Sequence, residues 1–194
     1  MKRLSTLLIM LLTVTVITAK AQTQRGNMLI GAQLANIGGV FQSGSSSFTF
    51  GITPMVGFFI QDNIAVGPNV GFDYTHANDE NFFTWSVGAF GRKYFDDPSI
   101  EFSKRSTWFL EANAGIQGVN AAGDNTNGLG LGFGPGLSYF LTPNIGLEGL
   151  LKYDLTLGFG SSTTTNQVSL NVGFQIYLHK DKAKKIIEEE QKGQ

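Results

Sequence analysis

The residues of this sequence that could do chemistry are charged side chains standing in apolar or glycine-rich segments. Only 15% of the 194 residues are charged, against about 25% in a typical globular domain. Six of these charges occupy polar positions in segments that alternate between apolar and polar residues, where period-two spacing places them on one side of each strand. They are Asp73, Arg92, Glu111, Glu148, Lys152 and Asp154. Brought together, they would form either a self-neutralising cluster or a path for protons or ions.

Two features of the sequence favour contact between these charges. Arg92 and Glu111 stand a few residues from opposite ends of one connector, so antiparallel pairing of their strands would bring them together. Segment 128–141, which follows Glu111 and precedes Glu148, carries a run of glycines at its inward positions. These are Gly130, Gly132, Gly134 and Gly136. The long side chains of Glu111, Glu148 and Lys152 can reach across that bare stripe, which predicts a polar network.

Catalytic and metal-binding arrangements find little support. The chain has no cysteine, which removes disulfides, thiol catalysis and cysteine-ligated metals. Its two histidines are His76 and His179. His76 lies near Asp79 and Glu80 and could bind a metal there, but a lone loop histidine is more commonly solvated. No nucleophile, base and orienting group can be assembled, so we expect no enzyme activity, no metal and no cofactor.

The first residues have the three parts of a secretory signal peptide. Lys2 and Arg3 precede an almost wholly apolar stretch over 7–19, and Ala19-Lys20-Ala21 gives the small residues of a cleavage site. We predict cleavage after residue 21. An N-terminal anchor helix is the alternative, although the apolar stretch is short against the ~20 residues of a membrane span.

The rest of the chain reads as β-strands, because apolar residues recur at every second position. The alternation is clearest in 83–89, 108–116, 145–157 and 168–178, and it also fits 26–37, 47–60, 64–75 and 128–141. Several of these segments approach the about 10 residues that a tilted strand needs to cross a bilayer. Pro54 and Pro135 fall inside two of them, and we expect a barrel rim or a bulge to accommodate each.

The connectors between these segments are of two kinds. Those at 61–63 and 142–144 carry the Asp, Asn and Pro residues of tight turns. Longer loops rich in Gly, Ser, Thr and Asn are predicted at 37–46, 75–82, 120–128 and 159–166. With the N-terminus in the periplasm, all four loops fall on the outer side, as is typical of outer-membrane barrels. The long, charged connector 96–106 breaks that pattern, because it should be periplasmic.

An internal repeat supports an even number of strands. Residues 51–75 align without gaps with 132–156, and both copies read as strand, tight turn and strand. The identities include Pro54 with Pro135. A duplicated hairpin favours an up-and-down meander, whereas two unrelated hairpins under one membrane constraint would share only the alternation.

The pattern favours a barrel in a membrane. In hydrocarbon every backbone polar group must be paired, so the strands have to close, with charges inside and apolar residues outside. Aromatic residues near the strand ends form two expected girdles: Phe72, Tyr74, Phe83 and Trp85 beside outer loops, and Phe58, Phe95, Trp108 and Tyr139 beside periplasmic turns. A soluble lipocalin-like barrel is the alternative, but its charged exterior is hard to supply from 15% charged residues. Because eight strands enclose a lumen that their own side chains can fill, we expect a polar plug rather than an ion path.

Several stretches resemble the small outer-membrane β-barrel family, similar to OmpA transmembrane domains and OmpX. They are the signal peptide, Gly88–Phe95 (GAFGRKYF), Pro135–Asn144 (PGLSYFLTPN) and the last alternating strand. The resemblance implies an all-β fold, an eight-stranded antiparallel up-and-down transmembrane β-barrel in the cell outer membrane of a Gram-negative bacterium. Barrels of this family often end on an aromatic residue that resembles an assembly signal, whereas here a charged tail follows the last strand.

These observations divide the chain into a signal peptide at 1–21, an outer-membrane β-barrel at 22–178 and a periplasmic tail, helical or disordered, at 179–194. The expected function is an integral outer-membrane barrel with a plugged polar lumen, in a structural role or in binding and adhesion through extracellular loops. The alternatives are a minor, porin-like channel for small solutes or ions and, less favoured, a lipid-modifying enzyme.

The expected partners follow from the same interpretation. They are outer-membrane lipid and lipopolysaccharide, together with the barrel-assembly machinery, and the protein is expected to be a monomer. A net charge of −1 gives no reason to expect nucleic acid. A cell-surface or cell-wall ligand stays open at this point, as does conduction through the lumen.

Overall fold

The computed structural model describes residues 22–42, 45–77, 80–95, 105–121, 124–158 and 164–180. The predicted signal peptide and most of the predicted C-terminal tail lie outside these residues, as does most of the charged connector 96–106. No helix in the described ranges is long and apolar enough to cross a membrane.

Eight strands follow one another along the described chain. Their bounds are β1 Met28–Gln42, β2 Ser45–Gln61, β3 Ile64–Ala77, β4 Glu80–Phe95, β5 Ser106–Ala121, β6 Asp124–Thr142, β7 Ile145–Gly158 and β8 Thr164–Leu178. Each strand pairs antiparallel with the next, and β8 pairs back onto β1, so the sheet closes into a barrel. This confirms the predicted all-β, eight-stranded, antiparallel up-and-down barrel.

The strands run further than the sequence predicted, with lengths of 14 to 19 residues. β1 and β2 pair as far as Gln42 opposite Ser45, and β5 and β6 as far as Ala121 opposite Asp124. The loops predicted at 37–46, 75–82 and 120–128 are therefore largely strand, and that prediction was wrong. Gly, Ser, Thr and Asn favour turns, but a hairpin already in register continues because each further residue gains ladder hydrogen bonds.

The two predicted tight turns are confirmed, and each lies within one copy of the internal repeat. Asn63, in the β2–β3 turn, has a φ of 65°, a left-handed conformation that asparagine tolerates. The register shifts once in each hairpin, between Phe59 and Gln61 and between Phe140 and Thr142. These positions correspond in the repeat, so the two hairpins share a backbone irregularity as well as their alternation.

Pro54 and Pro135 lie at neither a rim nor a register shift, so that expectation was wrong. Pairing with the following strand is interrupted beside each proline, in the gap between Ile52 and Met55 and in the gap between Phe133 and Gly136. Because proline has no N–H to donate, β2 and β6 each lose ladder hydrogen bonds to the following strand only. On the other side both prolines remain in register with the preceding strand.

The polarity of the barrel is inverted relative to a soluble protein. Large apolar side chains are exposed on the outer wall, with Phe133 at 58% and Val168 at 68% of full exposure. Charged side chains are buried in the lumen, with Arg92 at 1% and Glu111 at 2%. Soluble monomers rarely expose apolar patches of this extent, whereas a transmembrane barrel requires them. This polarity contradicts the lipocalin-like alternative.

Candidate functional site

Arg92 is the centre of a buried ion cluster inside the barrel. Its Nε atom donates to Glu111 Oε2 on the neighbouring strand β5, where the register sets the two residues opposite each other. Its Nη1 atom donates at 2.7 Å to Glu148 Oε2 on β7, a strand that does not pair with β4. All three side chains are buried. The guanidinium therefore crosses the lumen and joins parts of the wall that no backbone ladder connects.

Polar groups from three further strands complete this cluster. Glu148 Oε1 accepts from Ser138 Oγ on β6 and from Tyr177 OH on β8, both at 2.8 Å. Glu111 Oε2 accepts from Gln33 Nε2 on β1 at 3.3 Å. Buried charges that are paired and hydrogen-bonded in this way stabilise one another. Loss of one partner would leave a buried charge uncompensated, which is strongly destabilising.

Aromatic rings that were not predicted from the sequence pack against the cluster towards the tight-turn end of the barrel. They are Phe59, Tyr94, Phe109, Phe140 and Tyr177, each at most 4% exposed. The guanidinium of Arg92 lies 4.6 Å from the centre of the Phe109 ring. These rings occupy inward positions of the alternation near strand ends, and that parity is the signal that could have found them. We call Arg92, Glu111, Glu148 and the five rings the plug.

The segment 22–27 packs against the same end of the barrel, which the sequence also did not reveal. Thr23 Oγ1 donates to Asn63 Oδ1 at 2.5 Å, and Asn63 N donates to Thr23 O at 2.7 Å. Gln22 and Thr23 are buried. Lys180 N, just after β8, donates to Asn27 Oδ1 at 3.1 Å. These bonds hold the segment beneath the plug.

On the outer side of the plug the lumen widens into a polar cavity of about 300 Å³, which we call the cup. Lys152 Nζ pairs with Asp154 Oδ1 at 2.9 Å in this cavity, and Asp73 lines it from β3. Gln117 Nε2 on β5 donates to Thr156 Oγ1 on β7 at 2.6 Å. This last bond spans the glycine stripe of β6, because β6 lies between the two strands.

The six predicted interior charges therefore form two groups rather than one network. Three of them meet in the plug, where Arg92 and Glu111 make the contact that their shared connector suggested. The other three lie in the cup. Lys152 was expected to reach across the glycine stripe. Its Cε atom lies beside Gly132 of that stripe, and its Nζ atom pairs with Asp154 on the same face of β7.

The predicted girdle residues all lie on the outward-facing side of their strands. They are Phe72, Tyr74, Phe83 and Trp85 towards the outer end, and Phe58, Phe95, Trp108 and Tyr139 towards the tight-turn end. The Phe72 and Phe83 rings stack with centroids 6.3 Å apart. Lys93 Nζ lies 6.0 Å from the centre of the Phe95 ring, a cation–aromatic contact suited to an interface between lipid and water.

His76 lies on β3 rather than in a loop. Its Nδ1 atom lies 2.8 Å from Asn81 Oδ1, which also accepts from Tyr74 OH at 2.8 Å. Asp79, which was considered beside it as a metal ligand, lies outside the described residues. Across the part of the chain that the structure describes, no group of three acidic or histidine side chains is placed to hold a metal ion.

A solved bacterial surface protein has the same architecture. The structure of Neisserial surface protein A aligns with a TM-score of 0.55 at 21% identity, over 77% of this chain and 95% of that one. The chain has the fold of a small outer-membrane β-barrel. Together with the apolar outer wall, this fold confirms the predicted outer-membrane barrel.

Two further structures align at lower scores. Ail, the attachment invasion locus protein of Yersinia pestis, has 14% identity and a TM-score of 0.41 over 79% of this chain and 100% of that one. The outer membrane enzyme PagL has 16% identity and a TM-score of 0.45 over 76% and 98%. No family model and no curated protein matches the sequence. The role of this chain therefore has to be argued from its own lumen and surface.

Proposed function

We propose that this outer-membrane barrel has a closed lumen and serves the cell envelope as a structural or binding protein. The observation that carries the proposal is the ion cluster of Arg92 with Glu111 and Glu148, which spans the lumen. An ion crossing the barrel would have to displace these groups. Eight strands leave room for little more than their own inward side chains, and the aromatic rings fill the space beneath the cluster.

The plug resists opening because its buried ion pairs and hydrogen bonds are stronger in a low-dielectric interior than in water. Hydrogen bonds to charged groups contribute about 1.5–3 kcal/mol each, and Glu148 Oε1 alone accepts two of them. An opening that cost about 4 kcal/mol would be populated near one part in a thousand. Steady conduction is therefore not expected from the protein at rest.

The outer end of the barrel is where we infer that binding takes place. β3 continues beyond Tyr74 to Ala77, and β4 begins at Glu80, before Phe83. These paired strand ends stand beyond the outer girdle and present a surface whose backbone is already ordered, which reduces the entropy cost of binding. Lipopolysaccharide around the wall and the barrel-assembly machinery are the further partners that we propose.

A second candidate function is a minor channel for ions or small solutes. The cup favours it, because a polar vestibule of about 300 Å³ extends from the outer side down to the plug. A rearrangement of the plug and of the segment 22–27 beneath it would then open a path through the barrel.

Planar lipid bilayers containing the refolded protein distinguish the two functions. We expect no steady unitary currents from the wild type. The triple variant Arg92→Ala, Glu111→Ala, Glu148→Ala removes the ion cluster without leaving an unpaired charge. Brief currents should be more frequent in it than in the wild type, because only the aromatic rings and the segment 22–27 then obstruct the lumen. Lys152→Ala, which changes the cup alone, should stay silent. Steady large currents from the wild type would overturn the closed lumen and establish the channel.

A further inference from the structure

Two amide oxygens in the cup have no hydrogen-bond partner among the described residues, Asn113 Oδ1 on β5 and Asn171 Oδ1 on β8. Both residues line the cavity, and Asn171 is only 3% exposed. A buried acceptor without a donor costs about 1–3 kcal/mol. A ligand that brings N–H groups into the cup would recover this cost.

The described charges of the lumen are predominantly negative. In the cup, Lys152 stands against Asp73 and Asp154. In the plug, one guanidinium stands against two carboxylates. A narrow cleft with low-dielectric walls and one prevailing sign of charge concentrates counter-ions, so the cup favours a cation.

Gly132 marks the point where one of these amide oxygens, Asn113 Oδ1, lies close to the Asp154 carboxylate. A Cβ atom at this position would contact Asn113 Oδ1 from β5 and Asp154 Oδ1 from β7, and it would lie 2.7 Å from Lys152 Cε. Because glycine has no side chain, the Asn113, Asp154 and Lys152 side chains converge in the space that a Cβ atom would occupy. Asp154 Oδ1 is already paired with Lys152 Nζ, so Asn113 Oδ1 is the acceptor that a ligand N–H group would meet in this part of the cup.

We propose that the cup is a binding site for a small organic cation with several N–H donors, of the linear polyamine class. The cavity volume of about 300 Å³ is far above the roughly 10–15 Å³ that one water molecule needs on the same measure, so a slender chain of several bonded atoms fits. The described lining residues include no aromatic ring, so a sugar or a nucleobase would find no stacking surface there. The plug closes the inner end of the cup, so the ligand enters and leaves at the outer end. Only this route of entry rests on the proposed function.

Isothermal titration calorimetry with spermidine as the probe tests the proposal. The protein is placed in nanodiscs of zwitterionic phosphatidylcholine, and empty discs serve as the blank, so that anionic lipid does not compete. We expect saturable one-to-one binding that weakens with added salt. The double variant Asp73→Asn, Asp154→Asn should weaken binding at least tenfold. Asp62→Asn makes the same chemical change in the β2–β3 turn and should leave the affinity unchanged.

A second pair of variants tests whether binding requires the shape of the cup, rather than its charge. Gly132→Val adds atoms that would displace the Asn113, Asp154 and Lys152 side chains, and it should abolish binding. Gly149→Val adds the same atoms where a Cβ meets nothing within 4 Å and should bind as the wild type does. Heat-modifiable gel migration checks that each variant is folded.

A measurement on the wild type keeps the proposal testable if the variants do not refold. Spermidine should shift the side-chain amide NMR signals of Asn113 and Asn171, and it should leave those of Asn27, at the opposite end of the barrel, in place. Absence of saturable binding, or unmoved signals of both cup asparagines, would overturn the site. A conducting barrel that binds spermidine would contradict the closed lumen alone, and a silent barrel that does not bind it would contradict the cup alone.

Discussion

Arg92 on β4 donates to Glu148 on β7 at 2.7 Å across the lumen, although β5 and β6 separate their strands in the wall. Backbone ladders join each strand only to its neighbours. This pair therefore braces the barrel transversely, and the same two side chains obstruct the lumen. Stability and closure should consequently respond to the same substitutions.

Replacement of Arg92 by alanine should destabilise the barrel by about 3–5 kcal/mol, because Glu111 and Glu148 would stay buried without a counter-charge. Equilibrium unfolding in urea, with the protein refolded into lipid vesicles, measures this change. Lys152→Ala breaks an ion pair that is partly exposed and should cost less than about 1 kcal/mol. Equal losses of unfolding free energy in the two variants would contradict a bracing role for Arg92.

Tyr177→Phe should cost about 1.5–3 kcal/mol, since it removes the hydroxyl that donates to the Glu148 carboxylate and keeps the ring. Tyr139→Phe makes the same change on the outer wall and should stay within about 0.5 kcal/mol of the wild type. Unfolding midpoints at constant denaturant slope give both values. If the variants are equally stable, Tyr177 does not support Glu148.

Gly134→Ala should destabilise the barrel by about 1–3 kcal/mol, because the added methyl group would collide with the backbone oxygen of Leu151 on β7. Gly149→Ala is the matched change on the outward face of β7, where a Cβ meets nothing within 4 Å. It should be neutral or should stabilise slightly, by up to about 1 kcal/mol, through the unfolded state. A neutral Gly134→Ala would show that β6 can move away from β7.

The alternation of the sequence was sufficient to predict which face of each strand meets lipid. It places Leu151 outward and Lys152 inward because the side-chain period of a strand is two. The contact between Arg92 and Glu111 was also accessible, since both residues lie near one connector and antiparallel pairing sets them opposite each other. These relationships depend on neighbouring strands only.

Contacts between strands that are not neighbours could not be predicted from the alternation. The reach of Arg92 to Glu148 depends on the stagger of the strands around the barrel, which alternation does not encode. The inward parity of the five buried rings of the plug could have been recognised, but the contacts that they make across the lumen could not. The outer hairpins were predicted to be loops because their residues favour turns. The hydrogen-bond ladder of the paired strands nevertheless continues into them.

Site-directed spin labelling along β7 tests most directly the claim that one face of the wall meets lipid and the other encloses a polar lumen. The chain has no native cysteine, so labels can be attached singly at Leu151 on the outer wall and at Thr156 in the cup. In lipid vesicles the label at Leu151 should collide with dissolved oxygen and exclude a water-soluble nickel complex, and the label at Thr156 should be reached by the nickel complex. The reverse pattern, or access of the nickel complex to both labels, would contradict the inverted barrel.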